Sequence, residues 1–157
     1  MTKKHISTKV FDGFSTCFRQ WKAIGTHCRF LHGYSVYFKV TFEGELDHRN
    51  WVMDFGGFGA RSKHKIQGMS LKEYFSHLLD HTVIIADDDP KLMEFQKLHD
   101  EGVIQLRILP QVGCERFADY LIDVINSFLL METEGRVKAI QLEFFEHEKN
   151  SAIAIRS

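Results

Sequence analysis

Cysteine is scarce in this chain: Cys17, Cys28 and Cys114 are the only three in 157 residues. They are too few and too scattered for a disulfide scaffold, and an odd thiol count fits a reducing compartment and leaves a thiol free for chemistry. An excess of one charge sign is also lacking. Twenty basic residues face 21 acidic ones, a net charge of -1, which excludes the broad basic surface of a nucleic-acid binder and gives no cause to expect a membrane partner. No apolar run approaches the ~18 residues of a membrane span. The polar start Met1-Thr2-Lys3-Lys4-His5 is not followed by the apolar core of a signal peptide, so a soluble, cytoplasmic protein is expected. Internal repeats, low-complexity tracts and linkers are absent too, which leaves one domain over 1–157.

What is present is a core. Apolar residues make up 44% of the chain, close to the globular average, and 14 phenylalanines are spread along it. A domain of this length buries roughly 68–70% of its unfolded surface, and most of those rings are expected inside.

The clearest element spans 34–42, where Tyr34, Val36, Phe38, Val40 and Phe42 alternate with Ser35, Tyr37, Lys39 and Thr41. Period two marks a strand with one face buried. The stretch 6–18 is also strand-like, with Gly13 as a possible bulge, and an irregular loop over 20–31 joins the two. Val52 and Met53 lead to a strand end at Asp54-Phe55-Gly56-Gly57. Ser70-Leu71-Lys72-Glu73 is a capping box opening a helix through about 79. Asp87-Asp88-Asp89-Pro90 suggests a solvated turn, 91–98 a short helix and 103–109 a brief strand. Phe117, Leu121, Val124, Ile125 and Phe128 give 115–130 an amphipathic helical face. Ile140, Leu142 and Phe144 share one side of a strand over 137–146, with Glu146 continuing the row, and 152–155 forms a last strand. The pattern predicts an α+β domain with helices on one face of an antiparallel sheet.

Three features could carry chemistry. Cys28, in the loop between His27 and Arg29, is placed where cationic neighbours favour the thiolate; a small buried cysteine is the plainer alternative. Asp80-His81 follows the 70–79 helix. A carboxylate holding an imidazole N–H fixes its tautomer and raises its basicity, although such a pair can equally cap a helix at the surface. Glu146 ends an apolar row, where a carboxylate needs an N–H-rich or cationic partner, unless the strand end already lies in solvent.

Taken in order, Phe14-Ser15-Thr16-Cys17-Phe18-Arg19, Cys28 four residues before His32-Gly33, Asn50-Trp51-Val52-Met53-Asp54-Phe55, Leu79-Asp80-His81, Glu115-Arg116-Phe117-Ala118 and Glu146 cover nearly the whole chain. In this order and spacing the sequence resembles the 6-pyruvoyl-tetrahydropterin synthase family, which includes the 6-carboxytetrahydropterin synthase of queuosine biosynthesis. The resemblance implies a T-fold: an antiparallel four-stranded sheet with helices on one face between the second and third strands. It implies homo-oligomerisation into a barrel as a trimer or hexamer, with active sites at subunit interfaces. It implies a lyase acting on 7,8-dihydroneopterin triphosphate, with Cys28 as proton-transferring thiol, Asp80 and His81 as the second acid–base pair, and Glu146 and Glu115 binding the pterin. The family's zinc is held by three histidines. Here the corresponding positions are Phe18, His32 and Tyr34, and one imidazole does not make a catalytic site that needs about three protein ligands. Cys17 neighbours Phe18 and points to the opposite face of its strand. Gly113 and Cys114 stand where relatives carry small hydroxyl residues. The alternative implied is a zinc-less T-fold protein that binds a pterin- or purine-like ring, with Phe18 and Tyr34 offering an aromatic wall.

Overall fold

The computed structural model describes residues 2–157. Its first two strands, β1 (Lys4–Phe18) and β2 (His32–Glu45), pair antiparallel along their whole length, and a 3-10 turn at His27–Arg29 interrupts the loop between them. The alternation of β2 is reproduced as expected: Val36, Phe38, Val40 and Phe42 are all at most 1% exposed. In β1 strict alternation would send Phe11 and Phe14 to opposite faces. Between them the register shifts by one residue, and Gly13 takes φ +84°. This bulge returns Phe14 to the core side, where Phe11, Phe14 and Phe18 all lie.

Helix α1 (Leu71–Leu79) opens on the capping box: Glu73 N–H donates to Ser70 Oγ at 3.1 Å and Ser70 N–H to Glu73 Oε1 at 3.2 Å. Ser70 is 1% exposed, so Ser70→Ala should remove a cap that water cannot replace. The expected loss is about 1 kcal/mol, seen as a lower urea midpoint at unchanged slope.

The chain then departs from the sequence expectation. Thr82–Ala86 forms a strand, β3, that alternation could not reveal because all five residues are buried. It lies parallel to the end of β1, with Thr16 opposite Thr82 and Phe18 opposite Ile84. Helix α2 (Leu92–Asp100) follows, and β4 (Leu106–Leu109) runs parallel to β3. A strand covered on both sides has no polar face to show, which is why β3 is apolar from Val83 to Ala86. Helix α3 (Cys114–Thr133) and the antiparallel pair β5 (Val137–His147) and β6 (Asn150–Ile155) complete the fold.

The sheet is therefore six-stranded and mixed, in the order β4-β3-β1-β2-β5-β6, rather than four-stranded and antiparallel. Nor are all helices on one face. α1 and α3 cover the main core, whereas Leu92 and Phe95 of α2 pack with Val83, Ile85, Leu106 and Cys17 in a separate cluster. Val52 and Met53 are buried in turns, not a strand end. In β5, Thr41 faces Gln141 but Phe42 faces Ala139, so Ile140 is an extra residue and only half-buried. The buried row is Val137, Ala139, Leu142 and Phe144.

Phenylalanine does fill the core. Phe38, fully buried, stacks on Phe11 at 5.2 Å and meets Phe75 edge-on at 4.9 Å.

Candidate active site

Phe18 ends β1 opposite His32, which starts β2, and two residues on Tyr34 turns to the same side as Phe18. The Phe18 and Tyr34 rings stack at 4.4 Å, Phe18 meets Phe117 of α3 edge-on at 4.9 Å, and the His32 ring sits against Tyr34 at 4.7 Å. Phe18 is 2% exposed, Tyr34 half-buried and His32 exposed. The result is an aromatic wall with a single imidazole at its rim.

Two groups act on that wall. Burial first, and then the Glu146 carboxylate, with smaller contributions from Cys28 and Cys17, push the Tyr34 phenol upward in pKa. Cys114, buried at the start of α3, donates its S–H to Phe144 O at 3.0 Å. Its thiol is pushed up to about 11, by burial first and then by Glu146 and Glu115. The carboxylate of Glu146 thus lies within electrostatic reach of both Tyr34 and Cys114. It stands half-buried at a second bulge of β5, where Phe145 pairs with Ser151 and His147 with Asn150. Among the described residues its carboxylate accepts one hydrogen bond, from Asn150 Nδ2 at 3.5 Å, so the oxygens are largely free.

Cys28 is exposed in the 3-10 turn. Its backbone is held on both sides: its N–H donates to Thr26 Oγ1 at 3.2 Å, and its carbonyl accepts Gln20 N–H at 2.8 Å. Cys17 is half-buried and Cys114 buried. Alkylation should therefore proceed fastest at Cys28 and slowest at Cys114, where access and ionisation are both suppressed. Peptide mapping after iodoacetamide treatment checks the order, and equal rates would remove Cys28 from the site.

Asp80 and His81 form a local pair at the end of α1. Asp80 Oδ1 lies 3.1 Å from His81 Nδ1 and accepts Ser15 N–H at 3.0 Å. Adjacent residues can pair here because His81 leaves the helix with φ +57°. The Ser15 N–H, then His81, hold the Asp80 carboxyl below its ordinary range. Among the described residues neither side chain makes a hydrogen bond or ion pair with Cys28, Tyr34, Glu115 or Glu146. Among the described residues no hydrogen bond or ion pair joins Cys28, Tyr34 and Glu146 to one another either; what relates them is the charge effect on the Tyr34 phenol.

The donor set does not fit zinc. Phe18 offers no donor atom, Tyr34 is held in its neutral form, and Cys17 packs in the α2 cluster on the other face. Among the described residues no three His, Cys, Asp or Glu side chains converge as a metal site.

The acidic run is a turn with Asp87 and Asp88 exposed, as expected, but Asp89 is not solvated. Asp89 is 4% exposed and receives a two-point hydrogen bond from Arg19, with Nε at 2.8 Å from Oδ2 and Nη2 on Oδ1. Burial, the largest single effect, pushes Asp89's pKa up; the hydrogen bonds from Arg19 and from Lys91 N–H, with the Arg19 charge, together outweigh it and the pKa is lowered. Asp88 accepts Trp21 Nε1 at 3.0 Å. Beside this clamp a cavity of about 450 Å³, lined by Gln20, Trp21, Lys22, Gln111, Gly113 and Glu115, opens at the start of α3. Glu115 faces this cavity and is exposed. Nothing in the acidic run itself signalled its partners, which lie about seventy residues earlier.

A family model described as 6-pyruvoyl tetrahydropterin synthase matches residues 7–156. The chain belongs to the 6-pyruvoyl tetrahydropterin synthase family. Solved members and relatives share its fold. An uncharacterised protein of Wolinella succinogenes superposes with a TM-score of 0.79 at 21% identity, over 99% of this chain and 100% of that one. The 6-pyruvoyl tetrahydropterin synthase of Caenorhabditis elegans gives 0.61 at 17% identity, covering 99% and 98%. A catalytic-residue mutant of the Plasmodium vivax 6-pyruvoyltetrahydropterin synthase gives 0.64 at 14%, covering 97% and 98%. The comparison with curated proteins finds no match. Among the described residues no helix is long and apolar enough to cross a membrane.

Proposed function

We propose that this member of the tetrahydropterin synthase family is a zinc-independent lyase of the tetrahydropterin-synthase type. In this reading Glu146 takes the N–H edge of a pterin, the Phe18–Tyr34 wall flanks the ring, and Cys28 moves a proton beside it. The observation that carries it is the Phe18–Tyr34 stack with His32 at its rim, beside which the Glu146 carboxylate raises the Tyr34 pKa; the exposed Cys28 thiol is assigned to the same site by likeness to the family. A flat heterocycle with two N–H groups suits a carboxylate with both oxygens available, because charge-assisted pairs are the strong ones. Glu115 serves as a second carboxylate at the neighbouring cavity.

The second acid–base pair, Asp80 and His81, comes from another copy of the chain. β3 pairs only with Thr16–Phe18 of β1, and the outer edge of β1 before that point has no partner strand among the described residues, which suits edge-to-edge assembly of copies into a trimer or hexamer. Without a metal to polarise substrate hydroxyls, positioned acid–base groups supply about 10²–10⁴-fold acceleration, so a slow enzyme is expected. The family substrate, 7,8-dihydroneopterin triphosphate, is the first compound to test.

The replacement of two family zinc positions by aromatic residues also favours a second reading, a pterin- or purine-binding protein without turnover. Incubation with 7,8-dihydroneopterin triphosphate and product analysis, with added zinc or with a chelator, separates the two. Turnover unaffected by the chelator is the expected result. Turnover only with zinc overturns the metal-free mechanism, and binding without product selects the second reading.

A further inference from the structure

We propose that Asp89, assisted by Asp88, is the positioning residue for the loop that carries Cys28, an inference that rests on the role given to Cys28 above. The loop over 19–31 is long, and its thiol is exposed; among the described residues no side chain bonds Cys28 Sγ. A proton carrier must nevertheless be held to a fraction of an ångström, so something outside the loop has to fix it.

The fixing contacts begin at β3, a strand buried on both sides. Just beyond its end Asp89 is tied down by Lys91 N–H at 2.8 Å, and its side chain is 0% exposed. It grips Arg19 by two hydrogen bonds, and the guanidinium also lies 6.0 Å from the Phe95 ring of α2. The next residue, Gln20, donates its N–H to Cys28 O at 2.8 Å. Gln20's amide in turn lies where a Cβ on Gly113 would come within 2.6 Å, at a position whose φ of +135° belongs to glycine. Asp88 adds Trp21 Nε1 at 3.0 Å and Lys22 Nζ at 3.2 Å. A continuous path therefore runs from the buried strand through Asp89, Arg19 and Gln20 to the backbone of Cys28.

The two aspartates are not equal. Exposed contacts such as Lys22–Asp88 contribute little, whereas removing one partner of a buried, forked pair leaves an uncompensated charge. Asp89 carries the positioning and Asp88 refines it.

The test compares the full chain with Asp89→Asn, Arg19→Lys and Trp21→Phe. Amide hydrogen exchange in a peptide covering 19–31 should accelerate at least about tenfold in Asp89→Asn, with β2 and α3 peptides unchanged. Alkylation of Cys17 and Cys114 at parental rates certifies that the variant is folded. With dihydroneopterin triphosphate as substrate, kcat should fall about 10- to 100-fold while KM stays within about twofold. Arg19→Lys, which keeps the charge but loses the fork, should fall between parent and Asp89→Asn, and it decides the matter if Asp89→Asn does not fold. Trp21→Phe should change exchange less than about threefold. Parental exchange over 19–31 in a folded Asp89→Asn or Arg19→Lys overturns the proposal, as does a rise in KM with unchanged kcat. If the parent protein neither binds nor converts the pterin, the functional reading falls, and the exchange comparison still decides the clamp.

Discussion

Placing histidine at both Phe18 and Tyr34 is expected to turn this chain into a zinc protein, with about one metal per chain where the parent holds well under one. Two nitrogens on one tetrahedral zinc lie roughly 3.3 Å apart, given Zn–N lengths of about 2.0–2.1 Å. The Phe18 and Tyr34 rings are 4.4 Å apart and His32 lies 4.7 Å from Tyr34, all on one wall, so three imidazoles there can converge. The metal-free double variant should be less stable than the parent. Phe18 is 2% exposed and packs on Phe117, and an unliganded imidazole in that place costs about 1–3 kcal/mol. Zinc binds only the folded form, and at a hundredfold over its Kd it should return about 2.7 kcal/mol. Elemental analysis and thermal unfolding with and without chelator provide the check. A folded double variant that remains free of zinc would mean that the three positions do not converge, and would sink the account of why the parent lacks the site.

Glu146→Ala is expected to weaken pterin binding by about 10²–10⁴-fold. Two hydrogen bonds to a charged acceptor are each worth about 1.5–3 kcal/mol, and 1.4 kcal/mol is a factor of ten in affinity. The carboxylate gives up little on binding, since among the described residues its one hydrogen bond, from Asn150, is at 3.5 Å. Glu146→Gln keeps the shape but turns one acceptor into a donor facing ligand N–H groups, so it should recover little. Fluorescence titration with a pterin reads both variants. An unaltered curve for Glu146→Ala would remove this residue from the site.

Local signals in the sequence were sufficient wherever one face of an element meets water. The alternation of β2 and the Ser70 capping box both announce their elements. They failed where burial is two-sided or a ladder slips. Thr82–Ala86 has no exposed face to mark its period, and the extra residue Ile140 breaks the row counted backward from Phe144. The site divides in the same way. That Phe18, His32 and Tyr34 stand together follows from pairing two strands. A shared site for Cys28 and Glu146 beside Tyr34 joins a loop to a distant strand, and only likeness to a family suggests it. The Arg19–Asp89 fork joins residues seventy apart, and an aspartate in an acidic turn looks the same in sequence whether it is dissolved in water or buried against an arginine.

Because aromatic bulk inside this molecule is almost wholly phenylalanine, its interior is dark to indole emission. The two tryptophans sit outside it: Trp21 on the Asp88 clamp and Trp51, 43% exposed, beneath the Arg49 guanidinium at 4.3 Å. Fluorescence recorded during denaturation will therefore follow two loops. It should be compared with circular dichroism of the sheet, since only coincident curves license a single unfolding free energy.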